Sequence, residues 1–283
     1  MTDTHAQTVL ITGANGGVGR LMRPRLARAG RTLRLLDVVR PEPAAAGEAV
    51  EIVEASVTDE VAMREACAGV DAIIHLGGIS VEAPWADILA VNIDGTRVVL
   101  EAARDAGVPR VVLASSNHAV GFYGMDDAFD GDLPADRLPR PDTYYGVSKV
   151  AMEGLGSLFH DRYGIDVTCL RIGSCFEKPW DRRSLWTWMS PADGARLFEA
   201  CLSEADGGEA REPGFRIVWG ISRNTRSWWS LAAGEAIGYH PQDDSEVYAA
   251  ELLGDAVDDE PQGLEERLAG GKFCLTPLGQ HMK

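Results

Sequence analysis

The sequence predicts an α/β protein, a doubly wound parallel sheet carrying a small C-terminal lobe. Short β-branched runs alternate with longer amphipathic stretches, the pattern of strands joined by helical crossovers. Those runs are close to continuously apolar, as strands covered on both faces must be. With 283 residues, 45% of them hydrophobic and 25% charged, the chain is long enough for one large domain or a domain with a smaller lobe.

In chain order the strands are read as TVLIT, LRLLDV, VEIVEA, DAIIHL, RVVLAS, DVTCLRI and FRIVWG. The intervening helices are GVGRLMRPRLARAG, DEVAMREACAG, ADILAVNIDGTRVVLEAARDAG and DTYYGVSKVAMEGLGSLFHDRYG, with Pro24 placed to kink the first. A long Gly, Asp and Pro-rich loop, GFYGMDDAFDGDLPADRLPRPD, leads into the last of these helices, and loops of that length are commonly functional. Beyond about residue 172 the alternation weakens and tryptophans collect, at Trp180, Trp186, Trp188, Trp219, Trp228 and Trp229. Residues 1–172 are therefore read as the core and 173–283 as a smaller lobe and tail packed on it.

Composition removes several classes of function. A net charge of -16 argues against nucleic acid, whose phosphates are held by clustered Lys and Arg. Much of the acidic excess falls in PQDDSEVYAAELLGDAVDDEPQGLEE, read as a solvated face or tail. No apolar run has the length of a membrane span and MTDTHAQTVLITG lacks the pattern of a signal peptide, so a cytoplasmic location is expected. The five cysteines, Cys67, Cys169, Cys175, Cys201 and Cys274, are scattered and form no C-x-x-C pair, which predicts buried thiols and no metal site.

Gly13, Gly16 and Gly19 follow the first strand and open the first helix. Glycines there permit a tight turn, close approach of backbone to a pyrophosphate, and close packing of helix on sheet. The second strand ends in Asp37, about 20 residues on, where a carboxylate accepts hydrogen bonds from adenosine ribose hydroxyls and repels a 2′-phosphate. These residues predict a Rossmann-type core that binds NAD, with nearby Arg40 the one feature in favour of NADP. Gly77 and Gly78, after the fourth strand, again let backbone approach the cofactor, whereas His75 within that strand reads as a satisfied core histidine.

The chemistry centres on TYYGVSK. Tyr145 and Lys149 are four apart on a helix and share a face, while Tyr144 projects elsewhere. An ammonium beside a phenol favours the phenolate and lowers its pKa from near 10, making Tyr145 the candidate acid-base group. The fifth strand delivers Ser115, Ser116, Asn117 and His118 to the carboxyl end of the sheet, where one of the two serines can face the cleft.

The T-G-x-x-G-x-x-G turn from Thr12 to Gly19, the strand-end serine and Tyr145-x-x-x-Lys149 together resemble the extended branch of the short-chain dehydrogenase/reductases over roughly the first 175 residues. Asn92, in AVNIDGT, matches the helix asparagine that serves a proton relay through the lysine in that superfamily. A closer likeness runs over nearly the whole chain: HLGGISVE, ASSNHAVGFY, YYGVSK, RIGSC, SLWTWMS, IVWG and GYHPQDDSE resemble the uronate dehydrogenase family, which oxidises C1 of cyclic galacturonate or glucuronate with NAD to an aldarolactone. That resemblance implies Tyr145 as base, Lys149 as its partner, Ser116 as the orienting hydroxyl and Asn92 in the relay. It implies cofactor contacts at Gly13, Asn15, Gly16, Gly17, Val18, Gly19, Asp37, Ser56, Val57, Leu76, Gly77, Gly78, Asn92, Tyr145, Lys149 and Ile172. Implied substrate contacts are Ser80, Ser116, Asn117, His118, Tyr145, Ser174 and Arg183, the last clamping a carboxylate in preference to adjacent Arg182. Phe273 in the tail either closes over the site or packs beneath it.

Two departures stand out. Ser56 and Val57 occupy the place where the family offers an aspartate to the adenine, and the loop from Tyr123 to Asp142 is longer than usual. A nucleotide-sugar epimerase or dehydratase would use the same first half but needs a larger C-terminal lobe. A non-catalytic NAD-binding sensor would not require the Tyr-Lys pair. By analogy with extended members, a homo-oligomer is expected.

Overall fold

The computed structural model describes residues 7–128, 132–203, 205–206, 209–254 and 263–282. Parts of three expectations lie outside the described residues: the start of the chain, residues 129–131 of the long loop, and residues 255–262 of the acidic stretch.

Seven parallel strands form the central sheet. β1 (Gln7–Thr12), β2 (Arg31–Asp37), β3 (Ala49–Glu54), β4 (Ala72–His75), β5 (Arg110–Leu113), β6 (Asp166–Ile172) and β7 (Phe215–Gly220) lie in the order β7-β6-β5-β4-β1-β2-β3. All seven runs expected as strands are strands. The order reverses between β1 and β4, and ligands of open α/β sheets bind at such a reversal, beyond the carboxyl ends of the strands. β7 falls after residue 172 yet pairs with β6 in full register, so the lobe's chain completes the sheet of the core.

Helices α1 (Gly17–Leu26) and α2 (Glu60–Cys67) follow β1 and β3. Pro24 stands in the last turn of α1, which ends at Leu26, short of the expected Gly30, because proline removes an N–H from the ladder. The third expected helix is present but not uniform. It consists of α3 (Trp85–Ile88), a π-helical stretch Leu89–Asp94, and α4 (Gly95–Ala106). Such widened turns recur at functional sites, and this one carries Asn92. α5 (Tyr144–Tyr163) is the tyrosine helix, capped by Thr143, whose hydroxyl accepts from Gly146 N, and ended by Gly164 in the left-handed conformation.

Both faces of the sheet are packed. Val9, Ile11, Met22, Leu33, Leu197 and Phe198 lie on one side, and Leu10, Met63, Val99, Val111, Phe159 and Val167 on the other, all buried. A third cluster gathers Trp186, Trp219, Trp228 and Trp229 with Leu133 of the long loop, Trp219 stacking on Trp229 at 4.2 Å. That loop is tied down by Leu133, whose carbonyl accepts from Trp219 Nε1 and Ser230 N. His75 is the core histidine expected: fully buried, it bonds Thr12 Oγ1 at 2.7 Å and Thr96 Oγ1 at 3.2 Å, and burial pushes its pKa down to about 3. Four of the cysteines are buried and Cys274 is half-buried, all as free thiols.

Candidate active site

A cleft of about 1080 Å³ opens at the carboxyl ends of β1, β4, β5 and β6. Of the residues expected at the site, all but Asn92 line it.

The cofactor half is built by the glycines. Gly13 has φ 68°, and a Cβ there would lie 2.7 Å from Gly77 N, so the turn after β1 and the turn after β4 touch backbone to backbone. A Cβ at Gly19 would meet the carbonyl oxygens of Gly13 and Ala14 at 2.6 Å, which sets α1 close against the turn. At Gly17 the reverse holds. A Cβ there would meet nothing of the protein within 4 Å, and the first turn of α1 presents open backbone to the cleft. This shape suits a pyrophosphate, which the helix N-terminus and its unpaired N–H groups favour. Asp37 is held at the end of β2 by Asn15 N at 2.9 Å and Val39 N at 3.0 Å, leaving lone pairs for ribose hydroxyls. Arg40 is exposed and lies 3.8 Å from Glu54. At the Ser56–Val57 departure, Ser56 Oγ bonds Thr58 Oγ1 at 2.8 Å while buried Val57 packs on Gly77. The residues present therefore fit an NAD-type dinucleotide.

Tyr145 is 7% exposed and faces the cleft, whereas Tyr144 packs edge-on against Trp85 at 5.3 Å. The two serines part as strand geometry requires. Ser115 Oγ donates to buried Glu153 at 2.6 Å, whereas Ser116 lines the cleft with Tyr145, its Oγ donating to Asn117 Oδ1 at 3.3 Å. Beneath them Glu153 holds Arg171 through two bonds of 2.7 and 2.8 Å, a buried pair that fixes α5 against β6.

The expected lowering of the phenol's pKa does not appear. Burial pushes Tyr145 up to about 12, against the lowering effect of the Ser116 hydroxyl and with the Asp142 carboxylate adding to the rise. The reason is where Lys149 points: its Nζ donates to Ala114 O at 2.7 Å and stands 5.3 Å from the Tyr145 ring centre, over the ring instead of at the hydroxyl. Burial in turn lowers the lysine to about 8. Asn92 also departs from its implied place. Its amide is taken up by Ile79 N (2.7 Å), Ile79 O (2.9 Å) and Ser148 Oγ (3.0 Å), so it braces the turn after Gly78 against α5 from behind the cleft.

At the other end of the cleft, Arg183 Nε is buried and has no hydrogen-bond partner among the described residues, while Nη2 donates to Ala269 O. An orphaned donor is costly unless an anion completes it. Arg182 is directed to Glu266 at 3.7 Å instead. Asn117 Nδ2 donates to Ala269 O at 2.6 Å, Ser174 Oγ bonds Thr187 Oγ1 at 2.6 Å, and Ser80 lies exposed on the rim. Phe273 closes over the site: it stacks on His118 at 3.8 Å and lies 6.1 Å from Tyr145.

Three features were missed from sequence. Glu82, fully buried, accepts from Tyr145 N at 2.9 Å and Gly279 N at 2.7 Å, joining the start of α5 to the tail. Asp142 holds His118. Phe176 and Trp180 meet in a tilted contact, ring centres 3.8 Å apart, at the cleft mouth, 37% and 61% exposed. Glu82 and Asp142 have no local sequence signal, because each works through a partner distant in the chain, whereas Phe176 and Trp180 are four apart, a spacing short enough to have been read from the sequence.

Comparison with known proteins agrees with this geometry. The profile of the NAD dependent epimerase/dehydratase family matches residues 9–178. Uronate dehydrogenase of Pseudomonas syringae pv. tomato is 40% identical over 281 residues, 98% of this chain and 97% of its own. A crystal structure of an Agrobacterium tumefaciens uronate dehydrogenase variant complexed with NAD superposes with a TM-score of 0.84 at 37% identity, covering 96% of this chain and 98% of that one. An NAD-dependent glucose-6-phosphate dehydrogenase of Haloferax volcanii is 40% identical over 265 residues, 87% of this chain and 97% of its own. With its glycine turn, its Tyr145-Lys149 helix and a family match over residues 9–178, this chain belongs to the NAD dependent epimerase/dehydratase family, alongside the uronate dehydrogenases.

Proposed function

We propose that this protein oxidises the C1 hydroxyl of a cyclic hexuronate, galacturonate or glucuronate, to the aldarolactone with NAD. The observation that carries this reading is the meeting of Tyr145 and Ser116 at one end of a dinucleotide-shaped cleft with Arg183, whose buried Nε has no hydrogen-bond partner among the described residues, at the other. When bound along the glycine turn and Asp37, NAD supplies the hydride acceptor. The C1–H bond gives up its hydride, the C1 hydroxyl gives its proton to Tyr145 in the phenolate form, which becomes the neutral phenol, and C1 becomes the lactone carbonyl; burial opposes that phenolate, so Tyr145 must shed its own proton before each turnover. Ser116 orients the reacting oxygen, and the buried Lys149 ammonium over the Tyr145 ring is the positive charge that favours the phenolate. Arg183 grips the carboxylate, while Asn117, His118, Ser174 and Ser80 present hydrogen-bonding groups to the ring hydroxyls.

The test is NADH formation with a panel of galacturonate, glucuronate, glucose 6-phosphate and neutral sugars. Turnover is expected with the uronates. Preference for the phosphate, the second reading that the Haloferax relative raises, would move the substrate class while keeping the C6 anion on Arg183. Silence on every sugar acid would remove the assignment. Nothing in the site calls for a nucleotide sugar, and the chain covers nearly the whole length of relatives that are dehydrogenases.

The reading includes a cytoplasmic, homo-oligomeric enzyme. No helix among the described residues is long and apolar enough to cross a membrane, and Leu158 and Tyr163 are exposed along α5, one of the helices through which extended members pair. Light scattering on the purified protein would give the subunit number.

A further inference from the structure

We propose that Asp142 is the positioning residue of the substrate end, fixing the His118 ring so that Nδ1 keeps a hydrogen and Nε2 is presented to the cleft as acceptor for a sugar hydroxyl. The inference rests on the uronate reading above.

The geometry is specific. His118 Nδ1 lies 2.7 Å from Asp142 Oδ2, and the Asp142 side chain has no solvent exposure while that of His118 keeps 12%. An ionised carboxylate only accepts, so the shared hydrogen belongs to Nδ1, and in the neutral ring Nε2 must carry the lone pair. Asp142 is itself held: Oδ1 accepts from Thr143 Oγ1 at 2.8 Å, beside the cap of α5. Phe273 covers one face of the imidazole at 3.8 Å, and Tyr145 meets it edge-on at 5.5 Å. Among the described residues no hydrogen bond reaches Nε2, the one polar atom of the ring left for a ligand, and His118 lines the cleft.

The surroundings are shaped around this carboxylate. A Cβ at Gly121 or at Gly270 would collide with Asp142 Oδ2, and one at Gly146 would collide with His118 O and stand 2.9 Å from Asp142 Oδ1. Three segments far apart in sequence, the turn after His118, the start of α5 and the tail, thus each give up a side chain where the carboxylate sits. A residue that merely tied the loop down could use a neutral partner. Here the group is a buried acceptor-only one, placed on the ring nitrogen that faces away from the substrate.

Long-range nitrogen-15 NMR of the six histidines, with His118→Gln to assign the resonance, reads the tautomer directly. At mildly alkaline pH the His118 ring is expected as the Nδ1–H form, and Asp142→Asn is expected to mix or reverse it. The same variant should raise the uronate KM about tenfold, the order of one lost hydrogen bond, with kcat changed less and the NAD dissociation constant unchanged. His118→Gln should show the same KM loss, and combining the two changes should add little. An Nε2–H ring in the unaltered protein would overturn the proposal. So would an unchanged uronate KM in Asp142→Asn, or NAD binding weakened in step with it, which would mark a purely structural role. Should Asp142→Asn not fold, the unaltered protein's tautomer and the His118→Gln kinetics decide. Failure of the unaltered protein to oxidise any uronate is a separate result, read before any variant, that removes the substrate reading.

Discussion

Replacing Lys149 by Met should abolish turnover and at the same time stabilise the fold at neutral pH. Burial lowers this lysine from the ordinary value near 10.5 to about 8, with the nearby Glu153 carboxylate opposing the fall. A difference of that size corresponds to about 3 kcal/mol held against the charged form. Against that stands the lost hydrogen bond to Ala114 O, worth about 1 kcal/mol or somewhat more. The net expectation for Lys149→Met at pH 7 is a gain of about 2 kcal/mol, or roughly 4 °C in Tm for a chain of this size. The sign with pH follows from proton counting. Between about 8 and 10.5 the unfolded chain holds more protons on this lysine than the native one does, so native stability rises with pH across that window. The unaltered protein should therefore recover about 2 kcal/mol or somewhat more between pH 7 and pH 10, closing its gap to the methionine variant. Urea unfolding of both proteins at the two pH values measures it. A variant less stable at pH 7, or a gap that does not close by pH 10, would refute the claim that Lys149 is kept at the site against its own solvation.

Tyr145→Phe should cut kcat by about 10²–10⁴-fold with NAD binding intact, while Tyr144→Phe, whose ring only edges on Trp85, stays near the unaltered rate; steady-state kinetics compares them. The spectral titration lost in Tyr145→Phe should lie above the ordinary phenol range, toward pH 12, because burial raises the group. Gly17→Ala should fold as the unaltered protein yet weaken NAD, since its methyl enters only the cleft, whereas Gly13→Ala should lower Tm because its Cβ meets Gly77 backbone; calorimetry and NAD titration separate the two. Glu153→Gln leaves the Arg171 charge buried with its partner neutralised and should cost about 3 kcal/mol in urea unfolding.

The cofactor half was legible because it is local. A glycine turn, a helix start and a strand-end carboxylate lie within one β-α-β stretch, so their spacing in sequence is their spacing in space. The tyrosine helix was legible for the same reason: four residues along a helix is a contact, and adjacent residues on a strand end face opposite ways, which is how Ser115 goes to Glu153 and Ser116 to the cleft with Tyr145. The resemblance carried Arg183 over Arg182, and the structure supplies a physical reason in the guanidinium nitrogen left without a partner among the described residues.

The sign of the phenol's pKa was not legible, because spacing says that Tyr145 and Lys149 meet but not which atoms do. The lysine reaches past the ring to Ala114 O, and burial then decides the titration of both groups. Nor could spacing show Glu82 or Asp142, whose partners lie far away in the chain. Gly279 N on Glu82, Gly270 N on Gly121 O and Ala269 N on Tyr123 O bring residues 269–279 back over the start of α5, and with them Phe273 over His118. The tail thus forms the wall of the cleft beside His118 and Tyr145. On the function proposed above, substrate selection falls to this wall and cofactor binding to α1 and Asp37, so changes in the tail should move the uronate KM while leaving NAD affinity unchanged.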